Sequence, residues 1–195
     1  MNTKSADYYN VDSLLSEENK LVRDSVRDWV KENVSPVIEK SNLDGCFPKE
    51  LIKKLAEIGG FGGIFPEQYG GASIDFISYG LMMQEFERGD SSVRVLASIQ
   101  TSLVMNTIYK HGSEYIKKKY LKKLSEGDII GSFGMSEPNH GSDPSSMNTI
   151  YEECEGFYLV NGSKMWIGNA PICDIAIIWA KAKNGSYACL LADRE

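Results

Sequence analysis

Two histidines, four cysteines and no C-x-x-C pair are all that 195 residues offer a transition metal or a disulfide framework. Neither a zinc site nor a disulfide-stapled scaffold is therefore expected. Cys46, Cys154, Cys173 and Cys189 read instead as small buried apolar groups in a reducing cytoplasm. Positive charge is also scarce: 21 Lys and Arg stand against 27 Asp and Glu, for a net charge of −6. Nucleic acid is not an expected partner of such a surface. The one basic cluster, Lys117, Lys118, Lys119, Lys122 and Lys123, alternates with Tyr120, Leu121 and Leu124 and reads as the solvated face of a helix. No apolar run approaches the roughly 18 residues that would span a bilayer, so membrane insertion is not expected. The opening "MNTKSADYYNVDSLL" lacks the apolar centre of a secretory signal. The usual nucleotide and hydrolase signatures are missing too. Glycines 59, 60, 62 and 63 miss the G-x-G-x-x-G spacing, and there is no G-x-x-x-x-G-K-[ST] and no H-E-x-x-H. "GMSEP" lacks the second glycine of a nucleophile elbow, and nothing local sets His111 or His140 beside a nucleophile.

What is present suffices for a core, since 42% of the residues are hydrophobic, enough for one domain or one and a half. From Ser16 to about Glu39, Leu21, Val22, Val26, Trp29, Val30, Val34, Val37 and Ile38 recur at helical spacing, with Pro36 a kink or break near the end. Ser16, with Asn19 three residues on and Glu17 and Glu18 between, reads as a helix start. "PKELIKKLAEIGG" is a second helix closed by Gly59 and Gly60. A third is expected from about Asp75 to Arg88, a fourth after Asp90 and Ser91, and a fifth from about Ser113 to Ser125. After Gly127 the pattern changes. "DIIGSFGM", "FYLVNGSKMWIG", "CDIAIIWAKA" and "SYACLLAD" are short and rich in β-formers, with "VNGS" as an Asn-Gly hairpin turn. The expectation is an α+β chain: an all-α domain over residues 1–127, then an incomplete antiparallel β-domain over 128–195. The chain stops just after a strand, which is a poor place to leave a sheet edge and suggests a fragment of a longer protein.

"GSFGMSEPNHGSDPSSM", Gly131 to Met147, is the least ordinary stretch. A strand ends at Pro138, which has no N–H, and Asn139 and Gly141 permit sharp turns. The hydroxyls of Ser136, Ser142, Ser145 and Ser146 can then face one region and hold a ring carbonyl or a phosphate. A plain structural loop is the other reading of the same residues. "MSEPNHGSD", followed by "NGSKMWIGNA", resembles the flavin-binding signature of acyl-CoA dehydrogenases. "KHGSEYIKKKYLKKLSEGDIIGSFG" and "GIFPEQYGGAS" are similar to further segments of that family, and the resemblance covers nearly the whole chain.

The resemblance implies a helical domain, a β-domain and a C-terminal helical domain, with FAD between the last two, in a homotetramer. It implies an acyl-CoA substrate whose α-proton goes to a glutamate of the C-terminal domain and whose β-hydride goes to the flavin. Electrons would then pass to an electron-transfer flavoprotein. Carried onto this chain, Phe133, Met135 and Ser136 line the flavin, and Gly141 and Ser142 approach cofactor phosphate and the CoA portion. Trp166 shields the ring, and Gly168 offers it only a backbone N–H where the family's usual threonine offers a hydroxyl. Ser136 likewise replaces a commoner threonine but keeps the hydroxyl. "FERGDSSVRVLASIQTSLVM" and "SDPSSM" resemble the glutaryl-CoA dehydrogenase branch, which implies that Arg94, helped by Glu87 and Ser98, reads a distal carboxylate. The plainer reading of Arg94 is an ion pair with Asp90 or Glu87 at a helix end. Val95 and Gly168 stand where that branch often has hydroxyls, which leaves decarboxylation to crotonyl-CoA open. No catalytic base is assigned among Glu137, Glu152, Glu153 and Glu155. An acyl-CoA oxidase, suggested by Gly168, and a truncated non-catalytic flavin- or acyl-CoA-binding subunit are the alternatives. Trp29 and Trp179 read as core, Tyr69 as part of a loop, and His111 as a helix-end or surface residue.

Overall fold

A computed structural model describes residues 8–194. The first seven residues of the stretch read above for a signal lie outside the described residues. Helices come first and strands second. α1 (Glu17–Asn33) opens on a capping box, with the Ser16 hydroxyl accepting from the Asn19 N–H while the Asn19 side chain accepts from the Ser16 N–H. α2 (Ser35–Asp44) starts at once with Pro36 in its first turn, so the proline begins a helix rather than kinking one, and Gly45 closes it at φ 66°. α3 (Glu50–Glu57) and α4 (Phe76–Gly89) follow, the latter capped by Asp75, which accepts from the N–H groups of Ile77 and Ser78. α5 (Ser91–Ser98) begins on Asp90, and α6 (Asn106–His111) continues its axis. Between the two, Ile99–Met105 is wound as a π-helix. Such widened turns often mark functional sites. α7 (Glu114–Ser125) is capped by Ser113 and carries its lysines on the exposed face.

The sheet has five strands: β1 (Gly131–Gly134), β2 (Ile150–Cys154), β3 (Phe157–Asn161), β4 (Ile175–Ala182) and β5 (Tyr187–Asp193). It is mixed, which corrects the antiparallel expectation. β5 runs antiparallel along one edge of β4, while β1 and then β2 lie parallel along the other, and β3 pairs antiparallel with β2. The hairpin turn is at Glu155-Gly156, where Gly156 has φ 83°, and not at "VNGS". Asn161 ends β3, and the chain from Gly162 to Asp174 is irregular.

Two apolar clusters hold the halves. The first joins α1, α3, α4 and α5 through Val26, Val30, Val34, Leu51, Leu55, Phe86 and Leu96. Each such buried side chain contributes roughly 1.5–3 kcal/mol. The second packs Val104, Met105, Ile108, Leu121 and Leu124 against Ile175 and Ile177 of β4, so helices and sheet share a core. Trp29 meets Phe86 edge-on at 5.7 Å, in keeping with a core role. Trp179 is half-buried on β4, and its Nε1 has no hydrogen-bond partner among the described residues. Tyr69 is buried in the second cluster. Cys173 is buried and Cys154 half-buried, but Cys46, just after the end of α2, and Cys189, on β5, are exposed, against expectation. No helix among the described residues is long and apolar enough to cross a membrane.

Candidate functional site

Three segments converge where the helices meet the sheet. The first is α5 and its π-helical continuation. Gln100 is fully buried there and ties the two halves together. Its amide donates to the carbonyls of Leu124 (3.0 Å) and Ile129 (2.8 Å), and its carbonyl accepts from the Gly131 N–H at 2.9 Å. Gly131 must be glycine, since a Cβ would stand 2.5 Å from Val104 Cγ1. The second segment is the end of β1. Phe133 and Met135 are half-buried there, as is Ser136, whose carbonyl accepts from the Met165 N–H at 2.9 Å. The third is the irregular stretch after β3, carrying Lys164 to Asn169.

Trp166 lies on that stretch, not at a strand end as expected. Its φ is 61° and its side chain is 89% exposed. A left-handed backbone under a bulky aromatic is strained, and an exposed indole gains nothing from burial. Asn169, at φ 64°, anchors the far side by donating from Nδ2 to the Gly131 carbonyl at 3.1 Å. Between them Gly168 lies against α5: a Cβ there would overlap Ile99 Cδ1 and stand 3.4 Å from Val95 Cγ1. A side chain at 168 would require the terminal methyl of Ile99 to move aside.

One residue from Val95, Arg94 donates from Nε to Glu87 at 2.6 Å and from a terminal nitrogen to Ser98 at 3.5 Å, so the three residues named together in the sequence are neighbours. Glu87 also accepts from Ser91 at 2.6 Å, and that hydroxyl, then Arg94, holds its carboxyl below the usual range. Asp90 is not the arginine's partner. It caps α5 by accepting from Ser92 and reaches Asn42 at 3.1 Å.

The serines divide. Ser145 and Ser146 both donate to Asp143, so they do not face a common ligand region as expected. The Ser136 and Ser142 hydroxyls have no hydrogen-bond partner among the described residues, and Gly141 and Ser142 are exposed. His111 ends α6 and is exposed.

Several residues of this region escape a reading of local pattern. Tyr79 of α4 shares a 2.8 Å hydrogen bond with Ser102 beside Arg94, and burial raises its phenol above the usual range. Glu137 is buried and accepts from Thr149, Asn148 and Lys164. Burial alone would raise its carboxyl, but those donors outweigh it and bring it down to about 2. The available signal was the polar run Gln100-Thr101-Ser102 inside an apolar helix, and a carboxylate directly before Pro138.

Comparison with known proteins gives this geometry a context. Residues 16–128 match the model of the acyl-CoA dehydrogenase N-terminal domain, and residues 132–195 match that of the acyl-CoA dehydrogenase middle domain. A mitochondrial 2-methylacyl-CoA dehydrogenase of Solanum tuberosum is 35% identical over 175 residues, covering 89% of this chain and 42% of the relative. A glutaryl-CoA dehydrogenase of Desulfococcus multivorans is 35% identical over 173 residues, covering 87% of this chain and 44% of the relative. The crystal structure of a glutaryl-CoA dehydrogenase from Mycobacterium smegmatis in complex with FADH2 superposes with a TM-score of 0.91 at 35% identity, covering 95% of this chain and 47% of that one. The chain thus spans less than half the length of these relatives.

Proposed function

The chain belongs to the acyl-CoA dehydrogenase family, and from that membership we propose that it forms the helical and sheet parts of an FAD-dependent acyl-CoA dehydrogenase, divided near residue 128. The observation that carries this reading is the convergence at Gly168. There the strained, exposed Trp166 is set two residues from a contact with Val95 and Ile99, next in sequence to Arg94.

The residues present fit a flat ring with a polar edge. Trp166 offers an uncovered indole, Phe133 and Met135 a half-buried apolar floor, and Ser136 and Ser142 hydroxyls without partners among the described residues. Phe133, Met135, Ser136, Trp166 and the Gly168 backbone would hold the ring, and Gly141 and Ser142 the phosphates. When bound, FAD takes up the hydride removed from the β-carbon of an acyl-CoA thioester. The Ser136 hydroxyl and the Gly168 backbone N–H would be the donors available to negative charge added to the ring. Trp166 would cover the ring and shield it from water once the cofactor is bound. Glu137 is engaged by its donors, and the base for the α-proton is left to the glutamate of the C-terminal domain that the family resemblance implies. An electron-transfer flavoprotein as acceptor, a homotetramer and a cytoplasmic setting complete the reading.

For substrate, we infer a dicarboxylic acyl-CoA of the glutaryl type. Arg94 has five donors, and Glu87 and Ser98 orient its plane while leaving others for a carboxylate. The pairing with Glu87 tempers the charge without consuming the fork. Arg94→Met in the whole protein should lower kcat/KM for glutaryl-CoA by roughly 10- to 100-fold more than for a monocarboxylic acyl-CoA. Equal losses on both substrates would sink the carboxylate role. Hydrogen peroxide formed in step with turnover would favour an oxidase, the reading that Gly168 suggests. A protein that takes up no flavin would favour a non-catalytic subunit.

A further inference from the structure

Glu137 is only 5% exposed, yet it lies among exposed residues. Its carboxylate accepts from the N–H of Asn148 at 2.6 Å, the N–H of Thr149 at 2.9 Å, the hydroxyl of Thr149 at 2.5 Å and Nζ of Lys164 at 2.9 Å. Lys164 also donates to the Met135 carbonyl at 3.1 Å. One carboxylate and one ammonium therefore join three stretches: the turn leaving β1, the entry to β2 and the segment after β3. Apart from the single Glu137–His140 bridge, none of these stretches belongs to a strand ladder at the joined residues. Apolar packing is thin in the segment after β3, where Met165 is 37% and Trp166 89% exposed, and one backbone bond, from the Met165 N–H to the Ser136 carbonyl at 2.9 Å, joins that segment to the turn beside the pair.

We propose that Glu137 and Lys164 are a positioning pair for the cofactor face, holding the Met135–Ser136 turn against Met165–Trp166 so that the serine hydroxyl and the indole keep a fixed separation. This rests on the flavin reading above. Neither residue touches the reacting atoms. Their charges cancel, so they fix the loop without adding net charge beside the ring. Every donor Lys164 spends goes to holding backbone or Glu137 in place. Removing one partner leaves a buried charge alone, whereas removing both does not.

The test uses the whole protein freed of flavin, with FAD itself as the probe. Its readouts are the FAD dissociation constant and the visible absorption bands of the flavin in the reconstituted protein. Glu137→Gln and Lys164→Met should each weaken FAD binding by roughly tenfold or more and shift the flavin bands, because a charge-assisted bond is lost. The double variant should lose less than the product of the two single losses. Lys164→Arg, which keeps the charge, should stay within about threefold of the wild type. If Glu137→Gln does not fold, the contrast between Lys164→Met and Lys164→Arg decides. Wild-type FAD binding with single variants that bind alike and show unshifted bands would overturn the positioning role alone. A wild type that binds no FAD would overturn the flavin reading and this inference with it.

Discussion

Glu85 and Glu137 are both buried carboxylates, and they do opposite things for the fold. Glu85, 0% exposed, accepts two hydrogen bonds from Arg27 at 3.0 and 2.8 Å and forms an ion pair with Arg88 at 2.9 Å. It stitches α1 to α4, whose faces already meet through Val26, Val30, Met82 and Phe86. Glu137 joins irregular stretches outside the helices and the strand ladders. Hydrophobic burial is non-directional and needs regular faces, so a polar loop region is fixed by its hydrogen bonds. The same residue type thus reinforces apolar packing in the helical half and, in the proposal above, positions loops in the site.

The contrast breaks first where packing carries the load. Phe86→Ala should cost about 3–5 kcal/mol by removing a fully buried ring beside Trp29. Denaturant titration reads that loss, and the protein that remains folded should keep an unshifted flavin spectrum. A loss under about 1 kcal/mol would mean that packing does not dominate the helical half.

Acid sharpens the contrast from the other side. The Glu137 carboxyl lies at about 2 against an ordinary 4.5, so its contribution is present above pH 4.5 and drains away as pH falls toward 2. The difference amounts to about 3 kcal/mol. Stability measured across that window should fall more steeply for the wild type than for Glu137→Gln. Parallel curves would place the stabilisation elsewhere.

Glu85→Gln comes next, at roughly 2 kcal/mol, because both arginines reach water and can recover some hydration. It should leave FAD affinity within about twofold of the wild type. A tenfold loss would erase the distinction between the two carboxylates. The smallest effect belongs to Lys118→Ala on the exposed face of α7, expected within about 0.5 kcal/mol by thermal melting.

Much of this was legible in the chain itself. Ser16, Asp75, Asp90 and Ser113 cap where their residue types say helices start, because a cap is a local bond between residues two or three apart. Strand partners are not local. Nothing in "CDIAIIWAKA" states that β4 takes β1 and β2 in parallel, and β2 escaped notice because Glu152 and Glu153 mask its alternation. "VNGS" has the composition of a hairpin, but Gly162 at φ 156° packs against Thr149, and the hairpin uses Gly156 instead. In the site, the grouping of Arg94, Glu87 and Ser98 came from the resemblance to the glutaryl-CoA dehydrogenase branch, and the Glu87–Arg94 ion pair was the plainer reading of the same residues. Glu137 with Lys164, and Ile99 filling the space over Gly168, needed the fold, because each pair unites segments far apart in sequence.

If these residues build the flavin-facing half of an acyl-CoA dehydrogenase site, as proposed above, the whole protein binds FAD and acyl-CoA reduces it. The most direct measurement is the visible spectrum of the whole protein, loaded with FAD and titrated anaerobically with glutaryl-CoA and then with a monocarboxylic acyl-CoA. The account predicts a yellow protein whose flavin bands bleach on adding acyl-CoA, at lower concentrations of the dicarboxylic substrate. A protein that takes up no FAD, or whose flavin no acyl-CoA bleaches, would contradict it.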